Sequence, residues 1–393
     1  MNRLFFCLVL ALFSTAASAQ FQIGQTTITF NDPERSGGVG NGGGPGRQIE
    51  TEIYYPAAAA GVGVDVAAGA FPVVVIGHGF LMTFDAYANM WQTLVPAGYI
   101  VALPKTEGTF TPSHSDFGLD LALVANRVRA LNADVSSLFN GHVTPQAALT
   151  GHSMGGGAAV LAAQVGDFDA YVGFASAETN PSAVGAAANV TVPMLMFAGD
   201  GDAVTPPADH QVPIYNAAAS PCKALVTIEG GGHCFFANAS ATCDVGELFA
   251  GSTITLSREE QQAIVNLHML PWLTFWLKGE EAAFADFESL LEASADVNFE
   301  LDCAAPVSVA TVYDAHEIKL FPNPGVRELR VQGLLESAVF QVFRPDGRMV
   351  AAGQFRADSP VLDISSWPVG YYILRIETSS GVDVLRFMKG SED

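Results

Sequence analysis

A serine stands between glycines in Gly151-His152-Ser153-Met154-Gly155, a G-x-S-x-G pentapeptide. A hydroxyl attacks a carbonyl carbon well only when it is lifted clear of the backbone and a base removes its proton. A tight strand-to-helix turn does the lifting, and glycines two residues before and after the serine give it room. The surroundings fit such a turn. Ala147–Thr150 reads as a short strand, and Met154–Val165 as a helix rich in small residues that can pack close to a sheet. The N-terminal end of that helix favours developing negative charge.

Of the eight histidines, His233 is best placed to be the base. It ends the glycine run Gly230-Gly231-Gly232, directly after a strand-like stretch from Leu225 to Glu229. His142 and His210 lack that setting, His152 is inside the pentapeptide, and His268 falls mid-helix. His78, His114 and His316 lie in other loops or in an interdomain stretch. A carboxylate must hold the imidazole in the right tautomer. Asp200 and Asp202 both follow the strand-like Val192–Phe197, and either can serve. A D-x-D pair can also hold a cation, but no further acidic cluster completes such a site, so no metal and no cofactor is expected. An oxyanion needs backbone donors. The N–H of Met154, after the serine, is one. The N–H of Phe80, in Gly77-His78-Gly79-Phe80 after the apolar run Pro72–Ile76, is the other. Met154, Phe80, Phe235 and Phe236 are candidates to line an apolar cleft, and a plain core role is an equal reading for Phe235 and Phe236.

These residues need a scaffold. The run PVVVI at 72–76 is short, β-branched and continuous, as in a strand buried on both faces of a parallel sheet. Strand-like and helix-like stretches then alternate: Tyr87–Ala97 helical, Tyr99–Leu103 extended, Asp116–Asn132 helical, Tyr171–Phe174 extended. Ser257–Lys278 predicts a long amphipathic helix with a Ser257/Glu260 capping box, a stop at Gly279, and a kink or break at Pro271. Before them, Gln20–Phe30 and Arg47–Pro56 alternate as strands. Alternation of this kind predicts an α/β domain with a mostly parallel sheet flanked by helices. After Cys303 the texture changes. Short strands at 328–332, 338–343, 361–364, 371–377 and 382–388, parted by turn residues, predict a small all-β sandwich.

Composition sets the compartment. Hydrophobic residues make up 49% of the 393-residue chain and charged ones 15%, with a net charge of −22. Such a chain buries a large core and repels nucleic acid. Asn2-Arg3, an apolar run from Leu4 to Phe13 and Ala17-Ser18-Ala19 predict an export signal cleaved after Ala19, too short to span a bilayer. Cys222, Cys234, Cys243 and Cys303 then allow two disulfides, in any of three pairings. Cys234–Cys243 would close a short loop beside His233. No C-x-x-C pair points to zinc.

Taken together, Tyr54-Tyr55-Pro56, the His78-Gly79-Phe80 turn, GHSMGG at 151–156, GDGDAVTP at 199–206 and GGGHC at 230–234 resemble the chlorophyllase, cutinase and dienelactone-hydrolase-like branch of the α/β hydrolases. The resemblance covers about 47–278 and favours Asp202 over Asp200, because Ala203-Val204-Thr205-Pro206 is similar to the segment that trails the acid there. It extends in part to polyester (PET) hydrolases through the G-x-S-M-G-G elbow and Ala237-Asn238. Ala175-Ser176-Ala177-Glu178 stands where those enzymes usually carry a tryptophan. Leu320-Phe321-Pro322-Asn323-Pro324, Asp346-Gly347, Asp363-Ile364-Ser365, Gly370-Tyr371-Tyr372 and Lys389 resemble a type A sorting domain of the type IX secretion system.

The resulting expectation is a signal peptide at 1–19, an α/β-hydrolase domain at 20–303, a linker at 304–316 and a β-sandwich sorting domain at 317–393. The resemblance implies a secreted or surface-held serine hydrolase that cleaves carboxylic esters, hydrophobic or polymeric ones included, through Ser153, Asp202 and His233. Its partner would be the type IX machinery. A peptidase on the same fold and a catalytically inactive surface binding protein are the alternatives the residues leave open.

Overall fold

The computed structural model describes residues 21–40, 45–303, 319–323, 325–334, 337–344, 348–356, 360–378 and 382–390. The expected export signal, the whole of the linker and the Asp346-Gly347 turn lie outside them. The chain divides into two compact units, Met1–Ala304 and Ala305–Asp393.

The first unit is built on one large sheet. Its main strands are β1 (Gln22–Asp32), β2 (Arg47–Ala57), β3 (Phe71–Gly77), β4 (Ile100–Pro104), β5 (Val143–His152), β6 (Ala170–Phe174), β7 (Met194–Gly199), β8 (Cys222–Ile228) and β9 (Val297–Cys303). Their spatial order is β9-β8-β7-β6-β5-β3-β4-β2-β1. From β4 across to β8 the neighbours run parallel, while β1, β2 and β9 pair antiparallel at the two margins. The parallel strands are buried on both faces, which explains their unbroken apolar runs. Each of Val73, Val74 and Val75 is fully buried, worth roughly 1.5–3 kcal/mol apiece.

The helices are α1 (Ala88–Leu94), α2 (His114–Ala130), α3 (Met154–Ala163), α4 (Ala183–Ala187), α5 (Gln211–Ala217), α6 (Ala241–Ala250), α7 (Arg258–Leu273) and α8 (Ala282–Ala293). Two apolar clusters form, one on each face of the sheet: Phe117, Val124 and Ala158 belong to one, Met90, Met269 and Trp272 to the other. Helix α7 carries the Ser257/Glu260 capping box. Pro271 does not break it. The helix passes through the proline and widens into a π-helical turn at Thr274–Lys278, ending at Gly279 with φ 70°.

Both disulfides form, Cys222–Cys303 and Cys234–Cys243. The first ties β8 to β9, whose ends lie opposite each other in register.

The second unit contains two antiparallel sheets. One orders β10 (Lys319–Phe321), β11 (Glu328–Gln332) and β14 (Val361–Asp363) as β10-β11-β14. The other orders β12 (Ala338–Phe343), β13 (Met349–Phe355), β15 (Gly370–Glu377) and β16 (Val382–Lys389) as β13-β12-β15-β16. Leu329, Val331 and Leu362 from the first meet Val342, Phe355, Leu374 and Phe387 from the second in a core of their own.

Candidate active site

Register decides which loops meet. Gly77 of β3 pairs with Gly151 of β5, Gly151 pairs with Gly173 of β6, and Gly199 of β7 pairs with Ile228 of β8. The loops leaving these carboxyl ends carry His78–Phe80, Ser153, Asp200–Asp202 and Gly230–His233. A ligand-accepting crevice in an open parallel sheet lies at this edge.

Ser153 sits between β5 and α3 with φ 55° and ψ −122°. That is left-handed backbone which a non-glycine residue rarely adopts, and it is held by its surroundings. The Ser153 N–H donates to Phe174 O at 2.9 Å, and the Ala177 and Gly157 N–H groups donate to Ser153 O. The flanking glycines are required by contact. A Cβ on Gly151 would lie 2.3 Å from Gly155 O, and one on Gly155 would lie 2.3 Å from Gly77 O.

His233 Nε2 lies 2.9 Å from Ser153 Oγ, and His233 Nδ1 lies 2.8 Å from Asp202 Oδ2. A carboxylate accepts, so Nδ1 carries the proton and Nε2 is free to take one from the serine. Burial alone would push the Asp202 carboxyl up. The His233 ring and the Thr205 donors outweigh it and hold the carboxyl below its ordinary value. Asp202 Oδ1 accepts the N–H groups of Val204 at 2.7 Å and Thr205 at 2.8 Å, while Thr205 Oγ1 donates to Oδ2 at 2.8 Å. Asp200, the other candidate, instead accepts the Gly230 N–H at 2.6 Å and so ties the two loops together.

The loop that carries His233 is gripped by groups that sequence reasoning missed. Gln261 accepts from Gly232 N and donates to Gly232 O, each at 2.8 Å. Glu247, buried on α6, accepts the N–H groups of His233 and Cys234. Arg258 donates to Cys234 O and to Ala237 O, and its guanidinium stacks on the Phe235 ring. Nothing in a lone glutamate fourteen residues after a histidine announces such a grip.

The N–H groups of Phe80 and Met154 have no hydrogen-bond partner among the described residues. Phe80 is 46% exposed, and Met154 is buried at the start of α3. Phe236 belongs to the core, with 1% exposure, so it does not line a cleft. The segment Ala175–Glu178 is built into the site's floor. Ser176 Oγ lies 2.8 Å from Tyr171 Oη, and the Glu178 N–H donates to His210 Nδ1 at 2.9 Å.

Residues 14–251 match the family described as PET hydrolase-like. The chain belongs to that family. Its relatives include Cutinase est2 of Thermobifida alba, 26% identical over 229 residues that cover 56% of this chain and 66% of the relative. Cutinase 1 of Thermobifida cellulosilytica is also 26% identical, over 221 residues covering 56% of this chain and 76% of the relative. The chain thus spans just under two thirds of the first of these and about three quarters of the second. Residues 319–389 match the secretion system C-terminal sorting domain, which directs this PET hydrolase-like chain to the cell surface or the extracellular space. Among the described residues, no helix is long and apolar enough to cross a membrane.

Proposed function

We propose that this protein is an exported carboxylic ester hydrolase that works through an acyl-enzyme on Ser153. The single observation that carries the reading is the continuous contact from Ser153 Oγ through His233 to Asp202, at 2.9 and 2.8 Å. Ser153 Oγ attacks the ester carbonyl as His233 Nε2 takes its proton. The tetrahedral oxyanion is received by the N–H groups of Phe80 and Met154, each such donor contributing about 3 kcal/mol. The alcohol leaves with the proton from His233. A water then attacks the acyl-enzyme by the same route and frees the acid. Asp202 stays ionised throughout, steadying the imidazolium.

The exposed Phe80 ring and the cutinase relatives support hydrophobic esters as the substrate class, polymeric ones among them. The sorting-domain match supports the type IX machinery as the partner for the tail.

A fluorophosphonate probe tests the assignment. Intact mass is expected to show one adduct, absent from Ser153→Ala, together with a loss of p-nitrophenyl ester hydrolysis of at least about 10³-fold. An adduct that survives Ser153→Ala would overturn it. Activity confined to peptide amides would move the reading to a peptidase.

A further inference from the structure

We propose that Tyr87 and His152 form a hydrogen-bonded relay that keeps the oxyanion loop and the base loop in register, with His152 working as the neutral Nε2–H tautomer. The inference rests on the roles proposed above for Phe80 and His233.

Tyr87 closes the helical turn Phe84–Tyr87 that leads into α1, and both it and His152 are fully buried. The Gly79 N–H donates to Tyr87 Oη at 2.7 Å, and Tyr87 Oη lies 3.0 Å from His152 Nδ1. On its other side, His152 Nε2 lies 3.0 Å from the main-chain oxygen of His233. A carbonyl oxygen can only accept, so Nε2 carries the ring proton. In the neutral ring Nδ1 is then an acceptor, and the tyrosine hydroxyl donates to it in preference to its other neighbour, the weak thioether acceptor Met82 Sδ at 3.3 Å. The relay therefore has one direction: Gly79 N–H to Tyr87 Oη–H to His152, and His152 Nε2–H to His233 C=O.

The two ends are what give it a role. Gly79 directly precedes Phe80, whose N–H is the oxyanion donor, and His233 is the base. His152 itself directly precedes the nucleophile. One buried connection thus touches three loops whose relative placement sets the reaction geometry, where a misplacement of about 1 Å can cost 10²-fold in rate. With no exposed surface, His152 does not meet substrate. It is a positioning residue, covered by Tyr87 and Phe236 and packed against the His233 ring at 4.8 Å between centroids.

The groups that act on the His152 ring agree with a neutral state. Burial is the largest, and the neighbouring His233 and Arg258 act in the same direction; the hydrogen bond to His233 O and the Asp202 carboxylate oppose them without prevailing.

The test uses the full chain and two readouts. Imidazole ¹⁵N NMR, assigned with His152→Gln, is expected to show a neutral Nε2–H ring for His152 across about pH 5 to 8, its Nδ1 shift changing in Tyr87→Phe. An Nδ1–H tautomer, titration within that range, or an Nδ1 shift unmoved by Tyr87→Phe overturns the relay. In ester kinetics, Tyr87→Phe and His152→Phe are each expected to lower kcat about tenfold with KM within about twofold. The double variant is expected to be no worse than the poorer single, because both break one chain. His152→Gln, which keeps an acceptor and a donor, is expected to regain most of the loss. Unchanged kcat in Tyr87→Phe, multiplicative losses in the double variant, or no recovery with glutamine overturns the proposal. If the wild-type chain cleaves no ester, the functional reading fails, while the NMR result still decides the relay.

Discussion

Ser153 and Asp202 are held by opposite means, and substitutions should expose the difference. The serine is fixed by backbone, through its left-handed φ and the glycines around it. The aspartate is fixed by donors, chiefly Val204, Thr205 and His233. Asp202→Asn keeps the shape but offers Nδ1 an amide that can donate, so the wrong imidazole tautomer is stabilised. Ester kcat should fall by about 10³- to 10⁴-fold with little change in unfolding midpoint. A second prediction concerns acid. Burial and the nearby His233 push His152 down to about 3 from its ordinary 6.5. Between those values the unfolded chain holds a proton that the folded chain refuses. Stability from this site is therefore complete above the ordinary value and falls as pH drops toward the folded one. Urea unfolding at pH 7 and pH 5 should show a wild-type loss about 2 kcal/mol larger than that of His152→Gln. At this scale much was legible in the chain itself. Ser153, His233 and Asp202 advertise themselves by type, glycine context and order. Thr205, Tyr87 and Glu247 do not, because their partners are brought to them only by the fold.

At the scale of elements, α6 does an unusual job. Glu247 is its buried residue, while Leu248 and Phe249 are 77% and 85% exposed. The helix is held to the base loop by the Cys234–Cys243 bond and by Glu247 rather than by an apolar face. Removing the Glu247 carboxylate strands two buried N–H groups, at about 1–3 kcal/mol each. Glu247→Ala should therefore lower both unfolding free energy and kcat, checked by urea titration and ester assay. The two disulfides should separate along the same line. Chain entropy assigns about 4.5 kcal/mol to Cys222–Cys303, 81 residues apart, and about 2.5 to Cys234–Cys243, 9 apart. Replacing the first pair with serine should cost more stability, and replacing the second should cost more activity. The parallel strands were readable because burial on both faces leaves unbroken apolar runs. Strand β9 was not, since most of its residues face solvent at the margin of the sheet. Strand β13 was missed for a related reason: Met349–Phe355 is rich in alanine and glycine and mostly exposed. Helices α4 and α5 are one or two turns long, too short for a period to show.

For the molecule as a whole, the separate core of the β-sandwich, with Leu329, Val342 and Leu374 fully buried, is the main fact. A chain ended at Ala304 should keep the ester kcat of the full chain within about twofold, and calorimetry of the full chain should resolve two transitions. The net charge of −22 suits a protein that stays dispersed outside the cell, with self-repulsion that salt relieves. The Cys222–Cys303 bond takes on another meaning once the tail is used as an attachment. Tension on a tethered tail reaches the described part of the first unit at Cys303, the last residue of β9. Without a crosslink that pull would unzip β9 from β8 one hydrogen-bonded rung at a time, the weakest way to load a sheet. With it, the load passes through a covalent bond into the start of β8, past the marginal strand. Single-molecule pulling from the C-terminus should accordingly need less force to open the first unit in reductant than under oxidising conditions.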